Sequence, residues 1–313
     1  MRLFDLHCDT LMRCVNEHGS LYENGFDLDY RRGTALFEEW FQVMAAYVPD
    51  GLSEDTSYAT AERMLIQLRR ERDALSQIDS SHSDVTSGCT FRMLAAVENG
   101  AAIGRDLRRI RMLADYGIVY MTLTWNGTNT LGHGCMSHNQ SGLTAFGKEA
   151  VRELYAYGIY PDVSHLNEAG FYDVFSLADG RPFLASHSLS KAVYDHPRSL
   201  TDAQFCAVRD SGGIVGLNVC PSQLGGADFS FVERHLDHFL SLGGEKTVAL
   251  GLDLDGTPLP SEWQGITVVV RLYEYLETRG YPKLLLDRLF YKNSYSFFEK
   301  SLTSEEECIR IGT

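Results

Sequence analysis

Arg2-Leu3-Phe4-Asp5-Leu6-His7-Cys8-Asp9 opens the chain as an alternating apolar run that passes straight into ligand-type side chains, with no glycine-rich turn after it. An open doubly wound sheet would be expected to carry a phosphate-binding glycine loop after an early strand, so this junction argues against that architecture. Seven more short apolar, β-branched runs follow, at 40–48, 92–97, 118–124, 159–163, 182–186, 214–219 and 247–252. Between them lie stretches of helical period at 60–77, 105–116, 145–157, 167–177, 201–211 and 229–242. Asn167 and Thr201 stand where a helix needs an N-cap, and Gly212-Gly213 closes the second of these segments. Eight β-α repeats without a Pro/Ser-rich linker predict an α/β chain folded as one (β/α)8 TIM-type barrel over residues 1–313. Beyond Gly256 the pattern is helical only, through 266–278 and on to a C-terminal helical extension.

Composition narrows the partners. Against 42 Asp plus Glu stand 28 Lys plus Arg, a formal net charge of −14. Nucleic acids and anionic membrane surfaces both require a basic face, so neither is expected as a partner. The chain is 44% hydrophobic and 22% charged, within the ordinary globular range, and contains no window of roughly 18 uninterrupted apolar residues. Its seven cysteines (8, 14, 89, 135, 206, 220 and 308) are odd in number, scattered and free of any C-x-x-C pair, which favours a reducing compartment. No signal-peptide apolar region precedes the first run, and the last residues do not form a lipid-anchor tail. A cytoplasmic protein is therefore expected.

Polar residues gather at the C-terminal ends of the expected strands, where a barrel places its active site. His7 and Asp9 share one side of the first run by alternation, and Cys8 between them points away. Glu98, His165, His187 and Asp253 end the third, fifth, sixth and eighth runs. Three imidazoles and three carboxylates at one mouth suit zinc or a similar divalent ion. Six donors exceed the need of one tetrahedral ion. Two ions about 3.5–4 Å apart would share Glu98, with His7 and Asp9 on one side and His165 and His187 on the other. Asp253 is then left for proton transfer.

Each residue alone has a blander reading: a helix cap for Glu98, a turn residue for Asp253, a hydrogen-bonded core imidazole for each His. Five coincident strand ends argue against all of them together. His235-Leu-Asp-His238 has metal-like spacing but falls on an amphipathic helix expected on the outside of the barrel. Asp253-x-Asp-Gly lacks the later acidic positions of a calcium loop, and no G-x-S-x-G elbow accompanies Ser164 or Ser186. The glycine-rich loop 131–138 follows the fourth strand, where His133 is a candidate substrate contact and Cys135 the one thiol expected to be exposed.

These segments carry a family likeness. Asp5-Leu-His-Cys-Asp-Thr, Ala95-Ala-Val-Glu-Asn-Gly, Leu123-Thr-Trp-Asn, Gly142-Leu-Thr-Ala-Phe-Gly, Asp162-Val-Ser-His-Leu, Ala185-Ser-His-Ser, Arg198-Ser-Leu-Thr-Asp, Gly216-Leu-Asn and Gly251-Leu-Asp-Leu-Asp-Gly occur in order over nearly the whole chain. In them the chain resembles the membrane dipeptidase (renal dipeptidase) family of the amidohydrolase superfamily, in its microbial, soluble branch. The resemblance implies a metallo-dependent hydrolase with two Zn2+ per chain, Glu98 bridging, Asp253 as catalytic acid/base and Arg198 holding the terminal carboxylate of a dipeptide. It also implies tolerance of a D-residue at the leaving position. The family often forms dimers, so a homodimer is the expected assembly. Trp125 stands where mammalian members have a substrate-contacting His, and Cys220 where they have a Tyr. Trp125 and His133 are thus the further substrate-binding candidates. The two departures keep N-acyl amino acid deacylation, lactam hydrolysis and decarboxylation on the same scaffold as alternatives, beside a non-catalytic metal-binding protein.

Overall fold

A computed structural model describes residues 1–81, 89–263 and 265–311. Eight strands close into a parallel barrel in sequence order: β1 (Arg2–Cys8), β2 (Glu39–Tyr47), β3 (Thr90–Glu98), β4 (Ile118–Thr122), β5 (Tyr160–Asp162), β6 (Leu184–Ala185), β7 (Ile214–Leu217) and β8 (Val248–Leu250). Each overlaps one of the eight expected runs. The later strands are shorter than their runs because the chain leaves the ladder as it reaches the site, as Ser186 and His187 do after β6.

Helices pack outside the barrel, and several begin where a side-chain oxygen satisfies a free backbone N–H group. Asn167 accepts from Gly170 N at 2.8 Å to start Glu168–Ala178, and Thr201 forms a reciprocal capping box with Gln204 to start Asp202–Asp210. Among the described residues no helix is long and apolar enough to cross a membrane.

Alternation divides the apolar residues into two layers. Leu3, Cys8, Met44 and Ala95 belong to the outer layer with helix residues such as Leu65, Ile110 and Val151. Phe4, Leu6, Phe41, Val43 and Leu94 fill the barrel interior. The C-terminal extension completes that interior from below: Tyr291, Phe298 and Leu302 join the same cluster, with Phe298 stacked on Phe4 at 5.8 Å. Truncating one of these buried aromatics costs about 3–5 kcal/mol.

Strict alternation from Phe4 and Leu6 would turn His7 and Asp9 outward. The ladder prevents this, because Asp5 pairs with Gln42 but Cys8 pairs with Met44, so β1 holds one extra residue at Leu6-His7. Such a bulge re-aims the side chains beyond it. Cys8 goes to the outer layer, where its Sγ lies 3.4 Å from Met44 Sδ, and His7 enters the mouth.

Candidate metal centre

The six sequence-predicted donors meet at the C-terminal end of the barrel, all buried. His7 Nε2 lies 3.5 Å from Glu98 Oε2 and 3.9 Å from both Asp9 Oδ2 and Asp253 Oδ1. The other carboxylate oxygen of Glu98, Oε1, lies 3.0 Å from His165 Nε2 and 3.6 Å from His187 Nε2. Donor atoms cluster within 4.8 Å as His7, Glu98 and His187, and as His7, Asp9 and Asp253.

The surroundings choose the tautomer of each imidazole. Tyr120 donates its hydroxyl proton to Leu6 O at 2.8 Å, so its oxygen can only accept from His7 Nδ1, at 2.9 Å. Ser186 donates to Asp162 Oδ2 at 2.6 Å and likewise accepts from His187 Nδ1 at 2.8 Å. Asn126 Oδ1, which has no proton, accepts from His165 Nδ1 at 3.0 Å. Each ring therefore keeps its Nδ1 proton on a fixed acceptor and turns Nε2 toward the centre, the atom a metal-ligating histidine offers. His7 Nε2 and Asp9 Oδ1 are buried without a hydrogen-bond partner, a costly state unless a cation satisfies them. On this chemistry the residues fit a divalent metal.

The acids of the mouth attract positive charge, either a proton on His7 or a cation in its place. Burial opposes charge on His7, but Glu98, Asp9 and Asp253 outweigh it and raise its pKa to about 10. His165 is pushed down to about 4 by burial and then by Arg198, and His187 falls well below its ordinary value through burial and His7. Burial followed by repulsion from Glu98 raises Asp9 well above the carboxylate range. Asp253 is raised to about 7 by burial, with His7 opposing and Glu98 reinforcing. The mouth holds more negative charge than its own imidazoles neutralise.

Two loop features hold the acids in place. His165 and Asp253 have φ values of 68° and 63°, in the left-handed region that non-glycine residues seldom occupy. Asp255, with φ 65°, accepts from Thr10 Oγ1, Arg13 Nη1 and Asp27 N, which clasps the β8 loop to the helix after β1. Its carboxylate is fully engaged, which leaves the Asp253-x-Asp-Gly run without a calcium loop. A Cβ at Gly256 would collide with the carboxylates of Asp253 and Asp9.

A cavity of 450 Å³ opens above the donors, a size suited to a small ligand. Arg198, Trp125 and Cys220 line it, as do Tyr47, Asn126, Gln223 and Thr257, which the sequence reading did not single out. Arg198 is buried, donates from Nη2 to His187 O at 3.2 Å and leaves Nε without a partner. Cys220 Sγ accepts from Thr257 Oγ1 at 3.1 Å. His133 is not among the lining residues; it is buried with Nδ1 2.9 Å from Thr128 Oγ1 and its carbonyl accepting from Asn167 N. Cys135 is half-buried, as are Cys89 and Cys206, while the side chain of Cys308 lies outside the described residues. His235 is buried rather than on the outer surface, and His238 pairs with Asp202 at 2.8 Å, so the two imidazoles share no site. Asn126, Asp162 and Ser186 lay within the quoted motifs, but their roles depend on neighbours remote in sequence.

Fold and donor set define the class: a (β/α)8 barrel with a metal-type centre at the C-terminal ends of its strands. Residues 1–307 match the description "Membrane dipeptidase (Peptidase family M19)", and the chain belongs to that family of metal-dependent hydrolases acting on dipeptides. The crystal structure of the dipeptidase AC, described as a metallo peptidase of family M19, superposes with a TM-score of 0.84 at 28% identity, over 96% of this chain and 99% of that one. A metallo peptidase from Rhodobacter sphaeroides, liganded with a phosphinate mimic of the dipeptide L-Ala-D-Ala, gives 0.84 at 27% identity with the same coverage. An uncharacterized Klebsiella pneumoniae protein from the pqqA 5′ region is 34% identical over 214 residues, 64% of this chain and 79% of its own length. Mouse Dipeptidase 3 is 24% identical over 271 residues; the match takes in 83% of this chain but only 55% of that protein.

Proposed function

We propose that this chain is a zinc-dependent dipeptidase in which Glu98 bridges two ions, with His7 and Asp9 completing one site and His165 and His187 the other. The observation that carries the reading is the division of Glu98, one oxygen facing His7 and the other facing His165 and His187. Imidazole and carboxylate donors of this kind suit zinc. Such a pair of ions supplies Lewis acidity, which polarises the scissile carbonyl and makes water acidic enough to attack near neutral pH. Asp253 takes the proton of the attacking water and returns it to the leaving amine. Arg198 grips the substrate's terminal carboxylate with two parallel N–H groups, which favours dipeptides over longer peptides.

Tolerance of a D-residue at the leaving position is part of the proposal, supported by the L-Ala-D-Ala mimic held by the Rhodobacter sphaeroides relative. A reducing, cytoplasmic setting is also proposed, in keeping with six described cysteines that are all free. The test is hydrolysis of L-Ala-D-Ala, L-Ala-L-Ala and N-acetyl-Ala by metal-quantified protein before and after chelation. Cleavage of the dipeptides that is lost on chelation and restored by zinc is the expected result. Cleavage of N-acetyl-Ala alone would move the assignment to N-acyl amino acid deacylation.

A further inference from the structure

Charge is distributed unevenly around the cavity. Among the described lining residues the one guanidinium, Arg198, comes from the loop after β6, and no described carboxylate forms an ion pair with it. Strand order places β2 four positions from β6 in a closed ring of eight, so the end of β2 faces Arg198 across the mouth. Tyr47 stands there as the last residue of β2. Trp125, from the loop after β4, leans toward it edge to face, with centroids 5.2 Å apart at 74°. Met12 and the exposed Met136 also line the cavity. Apart from the metal-type donors on the floor, Tyr47 and Trp125 have no ionised group beside them among the described residues that line the cavity, Arg198 standing across the mouth.

We infer that Tyr47, Trp125, Met12 and Met136 form the subsite for the side chain N-terminal to the cut, and that it selects large apolar side chains over small or acidic ones. The inference rests on the dipeptidase reading and deepens it by naming the substrate class. A dipeptide whose carboxylate is held by Arg198 and whose peptide bond lies over the donors must send its N-terminal residue toward the opposite wall. An apolar side chain there covers the aromatic surface of Tyr47 and Trp125, removing apolar area from water. An acidic side chain would lose its hydration there with no cationic partner, since the guanidinium of Arg198 lies across the mouth.

The test compares L-Leu-Gly, L-Phe-Gly, Gly-Gly and L-Asp-Gly in two ways. One is kcat/KM with the zinc-loaded protein; the other is calorimetric binding to the metal-free protein, which needs no turnover. Leu-Gly and Phe-Gly should exceed Gly-Gly and Asp-Gly by about tenfold or more, the range expected when an apolar pocket is filled. Trp125→Ala should flatten that preference in both measurements, and Trp125→Phe should restore most of it. A flat wild-type profile, or a preference that survives Trp125→Ala, overturns the subsite while leaving the dipeptidase reading intact. Failure to cleave any of the four, together with Trp125-dependent discrimination in binding, keeps the subsite and overturns the activity. Neither cleavage nor binding overturns both.

Discussion

The Nε2 atoms of His165 and His187 stand 2.9 Å apart, although each ring already spends its Nδ1 proton on a fixed acceptor. Two lone pairs at this distance repel unless a cation lies against them. Metal removal is therefore expected to lower the melting temperature, and zinc to restore it in proportion to site occupancy. Calorimetry on chelated and reconstituted protein, with metal analysis, checks this; an unchanged melting temperature at zero bound metal would contradict it.

Ser186 tests the tautomer argument. Ser186→Ala removes the oxygen that accepts from His187 Nδ1 while leaving Asp162 with Ser164 N, Ser186 N and Thr122 Oγ1 as donors. Loss of such a second partner typically costs about 10–100-fold in metal affinity. Competition with a chelating dye measures the affinity. Nitrogen NMR of the metal-free protein reads whether His187 keeps its proton on Nδ1, an effect that a purely structural role for Ser186 would not produce.

Gly256→Ala introduces a methyl group between Asp253 and Asp9. One or both carboxylates must move, so the variant should lose at least about tenfold in metal affinity or kcat/KM, given the sensitivity of such sites to displacements near 1 Å. Its thermal stability with metal absent should change far less, because the collision lies at the mouth and not in the barrel interior. Equal affinity and activity in the variant would refute the crowding argument.

Arg198→Ala should erase discrimination between a dipeptide and its C-terminal amide. The parent protein is expected to prefer the free carboxylate by about 100-fold, the scale of a desolvated charge-assisted pair. Paired kcat/KM values for L-Ala-L-Ala and its amide give the comparison. Arg198→Lys should not restore the preference, since an ammonium cannot present two parallel donors.

His235 makes the fold acid-sensitive. Its Nδ1 accepts from Ser190 N at 3.1 Å, and its Nε2–H donates to Leu224 O at 3.2 Å, so a second proton would face a donor. Burial, with repulsion from His238, lowers its pKa to about 4 from 6.5. Between these values the unfolded chain binds the proton and the folded chain does not, so this contribution is full above pH 6.5 and fades as pH falls toward 4. The difference amounts to about 3 kcal/mol. Urea denaturation at pH 7, 5.5 and 4 should show the decline, and His235→Asn should remove that share of it.

Much of the architecture was legible because it depends on local patterning. Eight apolar runs separated by amphipathic segments require a covered parallel sheet, and Asn167 and Thr201 mark helix starts through bonds to backbone only three residues away. His7 and Asp9 could be assigned to one side, and six donors to one mouth, because strand ends in a barrel converge whatever the loops do. Tertiary structure alone decided the rest. Alternation makes His7 and Asp9 equivalent without saying which way they face; the extra residue in β1, set by pairing with Gln42 and Met44, turned them inward. The tautomers of His7, His165 and His187 follow from Tyr120, Asn126 and Ser186, which no spacing rule connects to them all. The Tyr47–Trp125 corner arises from closing the ring, because residues 78 positions apart become neighbours only when β2, β3 and β4 stand side by side.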